Sequence, residues 1–336
     1  MDALASRWPR LRQTLPRVDL RVRETPIERW ELEGTTLLVK RDDLTTPSLG
    51  GNKARALELL LAGVGPDDVL LTVGSTGSTH ALAVAHFGAR LGARTEVITW
   101  PQEEHDVSLA TAARLREIAR VTAAHSPATA MLRALMRRLA RRVRWIPAGG
   151  SSPLGALGHA AAALELADQL VRDGTPAPDT IVVPLGSGGT AAGLLVGLAL
   201  AGLPTRVIGV RVVPRLVANR TRVLALARRT AALFAERAQV AAPAIAARGF
   251  SIEGRQYGGA YARETHAARA SAALVLAREG PALEGTYSAK ALAAALAHAR
   301  AAPDERTLYW LTFDGRWLDT DAVGRRSSGA FRGTGG

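Results

Sequence analysis

The chain has 336 residues, 47% of them hydrophobic but only 4% aromatic, with 43 Lys+Arg against 30 Asp+Glu and a formal net charge of +13. That length fits two domains or one large α/β unit with a core of Ala, Leu and Val. The lack of cysteine removes disulfides, thiol nucleophiles and thiolate metal ligands, and no metal is expected. No charge-free apolar run of about 18 residues and no basic-then-apolar leader is present, so a cytoplasmic protein with no membrane partner is expected.

In chain order, residues 69–73 read as a buried strand, 79–91 as a helix, 95–99 as a strand and 106–120 as a helix, a βαβα unit. A helix over 126–141, a strand over 143–146, a Gly- and Ser-rich loop and a helix over 154–173 follow. After the Pro-rich link 174–179 comes a second set: strand 180–184, helix 190–203, strand 206–213, then helices to about residue 242. Two parallel-sheet units are predicted, and the Gly-, Ser- and Arg-rich tail 324–336 is expected to be disordered. The arginine-rich stretch 133–144 raises the possibility of a nucleic-acid partner. Its arginines alternate with Leu, Met and Ala at helical spacing and no aromatics interleave, so it reads as the solvated side of a helix with one buried face, and no nucleic acid is expected.

Only three residues are lysine, Lys40, Lys53 and Lys290. Arginine stays protonated and cannot form a Schiff base; lysine can lose its proton and condense with an aldehyde or act as a base. Three lysines left at random on the surface is the plainer alternative. Lys53 stands out because it lies in Leu49-Gly50-Gly51-Asn52-Lys53-Ala54-Arg55. Further along, the strand ending at Pro184 runs through Leu185-Gly186-Ser187-Gly188-Gly189-Thr190 straight into an alanine-rich helix, so backbone N–H groups and a helix N-terminus converge as a phosphate cup. A tight turn with glycine for packing is the simpler reading of that loop. Gly186, Gly188 and Ala191 also have dinucleotide-binding spacing, but the next strand ends in Gly209-Val210-Arg211 without the acid that NAD requires, leaving only NADP open. A reactive amine together with a phosphate cup points to pyridoxal 5'-phosphate.

Five segments carry a resemblance: Val39–Thr45, Leu49–Arg55, Ile146–Gly158, Gly186–Thr190 and Thr286–Lys290. In order and content they resemble the successive motifs of the 1-aminocyclopropane-1-carboxylate deaminase and D-cysteine desulfhydrase family, over about residues 20 to 316. The resemblance implies a two-domain α/β enzyme of fold type II, with parallel sheets flanked by helices. Residues 1–53 and 161–323 would form a large cofactor-binding domain and 54–160 a small mobile one, in a homodimer. It implies that Lys53 holds pyridoxal phosphate and serves as base or acid on the substrate carbon, and that Gly186, Ser187, Gly188, Gly189 and Thr190 seat the phosphate. Asn52, Thr79, Ser288 and Thr312 would complete the cofactor site. The loop Ser75, Thr76, Gly77, Ser78 with His80 would bind the substrate carboxylate, and Ser78, Tyr257 and Tyr287 would act in catalysis.

The chain departs from the family at several points: Thr79 replaces an asparagine, Gly77 a glutamine, and Ser288 an acid of the deaminase branch. Thr312-Phe313-Asp314-Gly315 replaces His-Thr-Gly-Gly, leaving open whether a hydroxyl or the Asp314 carboxylate faces the pyridine nitrogen. The expected activity is therefore α,β-elimination or deamination of a small amino acid, as in a D-cysteine desulfhydrase, giving a keto acid and ammonia. A racemase, a β-replacement synthase, cyclopropane deamination and a diverged cofactor-binding protein remain the alternatives.

Overall fold

The computed structural model describes residues 3–49, 51–140 and 142–318; the tail 324–336 lies outside them. Ten strands are present among these residues: β1 (Ile27–Leu32), β2 (Thr35–Arg41), β3 (Val69–Ser75), β4 (Arg94–Trp100), β5 (Arg120–Ala123), β6 (Val143–Trp145), β7 (Thr180–Leu185), β8 (Arg206–Arg211), β9 (Phe250–Glu253) and β10 (Thr307–Leu311). They form a six-stranded sheet in the order β1-β2-β10-β7-β8-β9 and a four-stranded sheet in the order β5-β4-β3-β6. Every pairing is parallel except β1 with β2. That exception is a hairpin turning through Glu33 and Gly34, both at positive φ (49° and 72°), the conformation that suits the twist of paired strands.

Parallel strands are covered on both faces, which explains why every residue of β3 and β7 is buried. In the larger sheet Ile181, Val183 and Leu185 pack under helices Pro153–Arg172 and Gly189–Ala201, while Val182 and Tyr309 meet Ala291, Leu292 and Ala295 of helix Ser288–Ala301. In the smaller sheet helix Thr79–Arg90 lays Val84 and Phe87 against Leu70 on one face. Helix Pro127–Arg137 covers the other face. This last helix differs from expectation: it ends at Arg137, and only Ala130 and Ala134 are buried. Leu132, Leu135 and Met136 stand 61%, 55% and 64% exposed, because the helix approaches β3 and β4 through its alanines and turns its large apolar side chains outward. No helix among the described residues is long and apolar enough to cross a membrane.

One buried cluster of charge fixes the element that carries Lys53. Arg55, on helix Asn52–Leu60, pairs with Asp42 at 2.7 Å and Glu165 at 2.9 Å, and Lys40 pairs with Glu165 at 2.7 Å. Two cations thus face two carboxylates, the balance that buried charge requires. Burial alone would raise the Glu165 carboxyl, but the charges and hydrogen bonds of Arg55 and Lys40 override it and hold it at about 2. Helix Pro153–Arg172 crosses the same helix at Gly158, where a Cβ would lie 2.1 Å from the Arg55 carbonyl oxygen. Only glycine allows that approach.

Candidate active site

The carboxyl ends of β3, β7 and β10, together with the turn after β2, converge on one cavity of about 560 Å³. This is where open parallel sheets place ligands, because the loops and helix N-termini that follow the strands gather there. Lys53 is the one lysine lining it. Lys40 and Lys290 are buried and occupied, Lys40 with Glu165 and Gln169, Lys290 with the carbonyl of Tyr257. None of the three lysines is a surface survivor. Burial without an ion pair lowers the Lys53 amine from 10.5 to about 8, offset only in part by the charge of Glu284. At that value a useful fraction is the free amine near neutral pH.

The loop after β7 forms the cup. Gly188 has φ 92°, a left-handed conformation that L side chains rarely adopt, and it caps helix Gly189–Ala201. The Gly189 N–H donates to Ser151 Oγ at 3.0 Å, and Ser151 Oγ donates to Ser187 Oγ at 2.6 Å, so Ser151 from the loop after β6 completes the cup. Asn52 spans from the Lys53 helix to Thr190, its Nδ2 donating to Oγ1 at 2.8 Å. An amine of lowered pKa beside side-chain-free N–H groups at a helix N-terminus fits pyridoxal phosphate, whose aldehyde and phosphate need those two partners. Gly186, Ser187, Gly188, Gly189 and Thr190 all line the cavity, as do Asn52, Thr79 and Thr312.

Opposite the cup lies the loop between β3 and helix Thr79–Arg90. Ser78 caps that helix, its Oγ accepting from the Ala81 N–H at 3.2 Å, which leaves its own hydrogen available to a ligand. Ser75, Gly77, Ser78 and His80 line the cavity. Thr76 does not: its hydroxyl donates back to the Trp100 carbonyl at 3.1 Å. His80 is held neutral, at about 3, by burial first and then by the charge of Lys53. Its Nε2 meets the Thr72 hydroxyl at 3.2 Å; since that hydroxyl donates to the Ile146 carbonyl, it accepts from the histidine. His80 therefore ties its helix to β3.

Two other expected positions move. Tyr257 is outside the cavity lining, and Tyr261, four residues on, stands there instead, its hydroxyl 2.8 Å from that of Tyr287 and 3.5 Å from Ser75 Oγ. Burial pushes the Tyr287 phenol well above its ordinary range, and the adjacent Tyr261 adds to the rise. Ser288 is also outside the lining; its hydroxyl is buried with no hydrogen-bond partner in the structure. Glu284, unanticipated from the sequence, does line the cavity and accepts the N–H groups of Thr286, Tyr287 and Ser288 at 2.6–3.0 Å, fixing the turn that presents Tyr287. Asp314 lines the cavity too, with its carboxylate paired to Arg316 at 2.8 Å. Tyr261, Glu284 and Ser151 carry no local sequence signal, apart from the motif that contains Ser151.

The fold and this site define a pyridoxal phosphate enzyme of fold type II. The chain belongs to the family described as "Pyridoxal-phosphate dependent enzyme", whose model matches residues 18–312. It is 38% identical over 211 residues to a nocardicin C-9' epimerase of Nocardia uniformis subsp. tsuyamanensis, and 36% identical over 213 residues to a D-cysteine desulfhydrase of Serratia proteamaculans (strain 568). Each match takes in 59% of this chain and 64% of the relative, so the chain spans under two thirds of the length of these curated relatives. Among solved structures, an ACC deaminase homologue superposes with a TM-score of 0.75 at 27% identity, covering 93% of this chain and 95% of the other.

Proposed function

We propose that the protein removes a β-leaving group from a small amino acid and releases a keto acid and ammonia, as the name D-cysteine desulfhydrase describes for one relative. The observation that carries this is Lys53: a half-buried amine without an ion pair, lowered to about 8 by desolvation, lining the same cavity as the phosphate cup. Bound pyridoxal phosphate would withdraw electrons from the substrate α-carbon and so weaken its bonds. Lys53 would hold the cofactor and take the α-proton. The N–H groups at the start of helix Thr79–Arg90 and the free hydrogen of Ser78 would bind the carboxylate. Tyr287, kept protonated by its raised pKa and backed by Tyr261, would give a proton to the leaving group as it departs with its bonding electrons. Water then hydrolyses the released enamine to keto acid and ammonia.

Since Asp314 is engaged by Arg316, the neutral hydroxyl of Thr312, which lines the cavity, would stand at the ring end of the cofactor, while the Ser288 hydroxyl stays outside the lining. A neutral partner there supports loss of a good leaving group better than opening of a carbon ring. Within residues 54–160 the four-stranded sheet and its helices would close over the site, the end segments staying with the larger sheet through Arg55 and helix Pro153–Arg172, and the assembly would be a homodimer.

A side-by-side assay of keto-acid release from D-cysteine, β-chloro-D-alanine and 1-aminocyclopropane-1-carboxylate tests the reading. Pyruvate should form from either D-amino acid faster, by orders of magnitude, than 2-oxobutanoate forms from the cyclopropane; the reverse order overturns it. Epimerisation is a second reading, favoured by the 38% identity to an epimerase. It would appear as deuterium uptake at the α-carbon without keto acid.

A further inference from the structure

The cavity lining also includes an amide. Gln102 follows β4 and Pro101, and its side chain lies against Gly77 in the carboxylate loop. A Cβ on Gly77 would stand 2.9 Å from Gln102 Nε2 and 2.4 Å from Ser108 Cβ, so the space a side chain at 77 would take is filled from the neighbouring segment. The amide is poorly satisfied. Nε2 has one acceptor, the Glu103 carbonyl at 3.3 Å, and Oε1 is buried with no hydrogen-bond partner. An amide offers two donors and two acceptor positions, and leaving them unused inside a protein is costly.

The segment carrying Gln102 is pinned at both sides. Glu103 pairs with Arg263 at 3.2 Å, and His105 Nε2 meets Thr286 Oγ1 at 3.1 Å. Arg263 lies two residues from Tyr261, and Thr286 adjoins Tyr287. Residues 101–105 thus run from the smaller sheet to the two stretches that supply the tyrosine pair, with the Gln102 side chain against Gly77, just before helix Thr79–Arg90. A neutral donor at this place can bind an anionic group without bringing a counter-charge.

We infer that Gln102 is a specificity-determining residue of this site, donating through its amide to the carboxylate of the substrate beside Gly77. The inference rests on the reading that the cavity takes an amino acid, and the test keeps the two apart. Holoenzyme is titrated with D- and L-alanine, following the visible band of the bound cofactor, and again with the corresponding alaninamides, which keep the amine and lack the carboxylate charge. For Gln102→Ala the half-saturating alanine concentration should rise about tenfold, as for loss of one hydrogen bond to a charged group, with the alaninamide value unchanged. Gln102→Glu should weaken alanine further. Arg263→Ala, which frees the segment, should shift alanine the same way by a smaller factor. Equal shifts for alanine and alaninamide, or no shift for either, would overturn the role of Gln102. A wild-type protein whose band answers neither alanine enantiomer nor any other amino acid would instead sink the amino-acid reading, and the inference with it. The cofactor band and melting temperature of each variant identify a misfolded one; Gln102→Asn then serves as the milder substitution, with a smaller shift confined to alanine.

Discussion

The lowered pKa of Lys53 makes a quantitative claim about how fast the cofactor-free protein captures pyridoxal phosphate. Only the neutral amine attacks an aldehyde. With a pKa of about 8, about a quarter of Lys53 is neutral at pH 7.5, against about one in a thousand for an amine at its ordinary value of 10.5. The gain in reactive fraction is about two hundredfold. Desolvation disfavours the charged form, so the inflection must move down; Glu284 opposes it and keeps it from moving further. Cofactor-free protein is mixed with pyridoxal phosphate in a stopped-flow instrument and the visible imine band is followed from pH 6.5 to 10. The rate should climb roughly tenfold per pH unit at the acid end and level off between pH 8 and 9. Lys53→Arg should show no band at any pH, since it keeps the cation and loses the nucleophile. A rate that rises through pH 10 without levelling would refute the reasoning: the amine would be hydrated like any surface lysine.

Other substitutions probe the parts around it. Gly188→Val places a β-branched residue at φ 92° with its Cβ 3.2 Å from Val223 Cγ2, and should weaken cofactor affinity about tenfold or more, measured by equilibrium titration of the visible band. Arg55→Ala leaves Asp42 and Glu165 buried with one cation between them and should cost about 3–5 kcal/mol in urea unfolding; a loss under about 1 kcal/mol would mean water reaches the cluster. Tyr261→Phe should lower turnover at least tenfold while Tyr257→Phe leaves it within about twofold, since only Tyr261 reaches the cavity; equal effects would remove the tyrosine pair from the mechanism.

The sequence by itself determined the elements whose causes are local. A buried strand running through Gly186–Thr190 into an alanine-rich helix can make little else than a cup of N–H groups, because glycine removes the Cβ atoms and the helix supplies unpaired donors. The rarity of lysine in an arginine-rich chain singled out Lys53 for the same kind of reason, the chemistry of the side chain itself. What lay beyond local rules was settled by pairing and approach across long stretches of chain. β1, β2 and β10 are absent from the elements read above; β10 takes its place between β2 and β7 through partners some 125 or more residues distant in sequence. Tyr257 and Tyr261 share one loop and one chemistry, and only the path of that loop brings the second beside Tyr287. Thr76 turns to Trp100, Asp314 to Arg316, and Glu284 into the turn before helix Ser288–Ala301, each because a partner waits there that spacing does not announce. The exposed leucines of helix Pro127–Arg137 follow the same logic, since periodicity marks an apolar face and only the sheet beneath decides which part of it is covered.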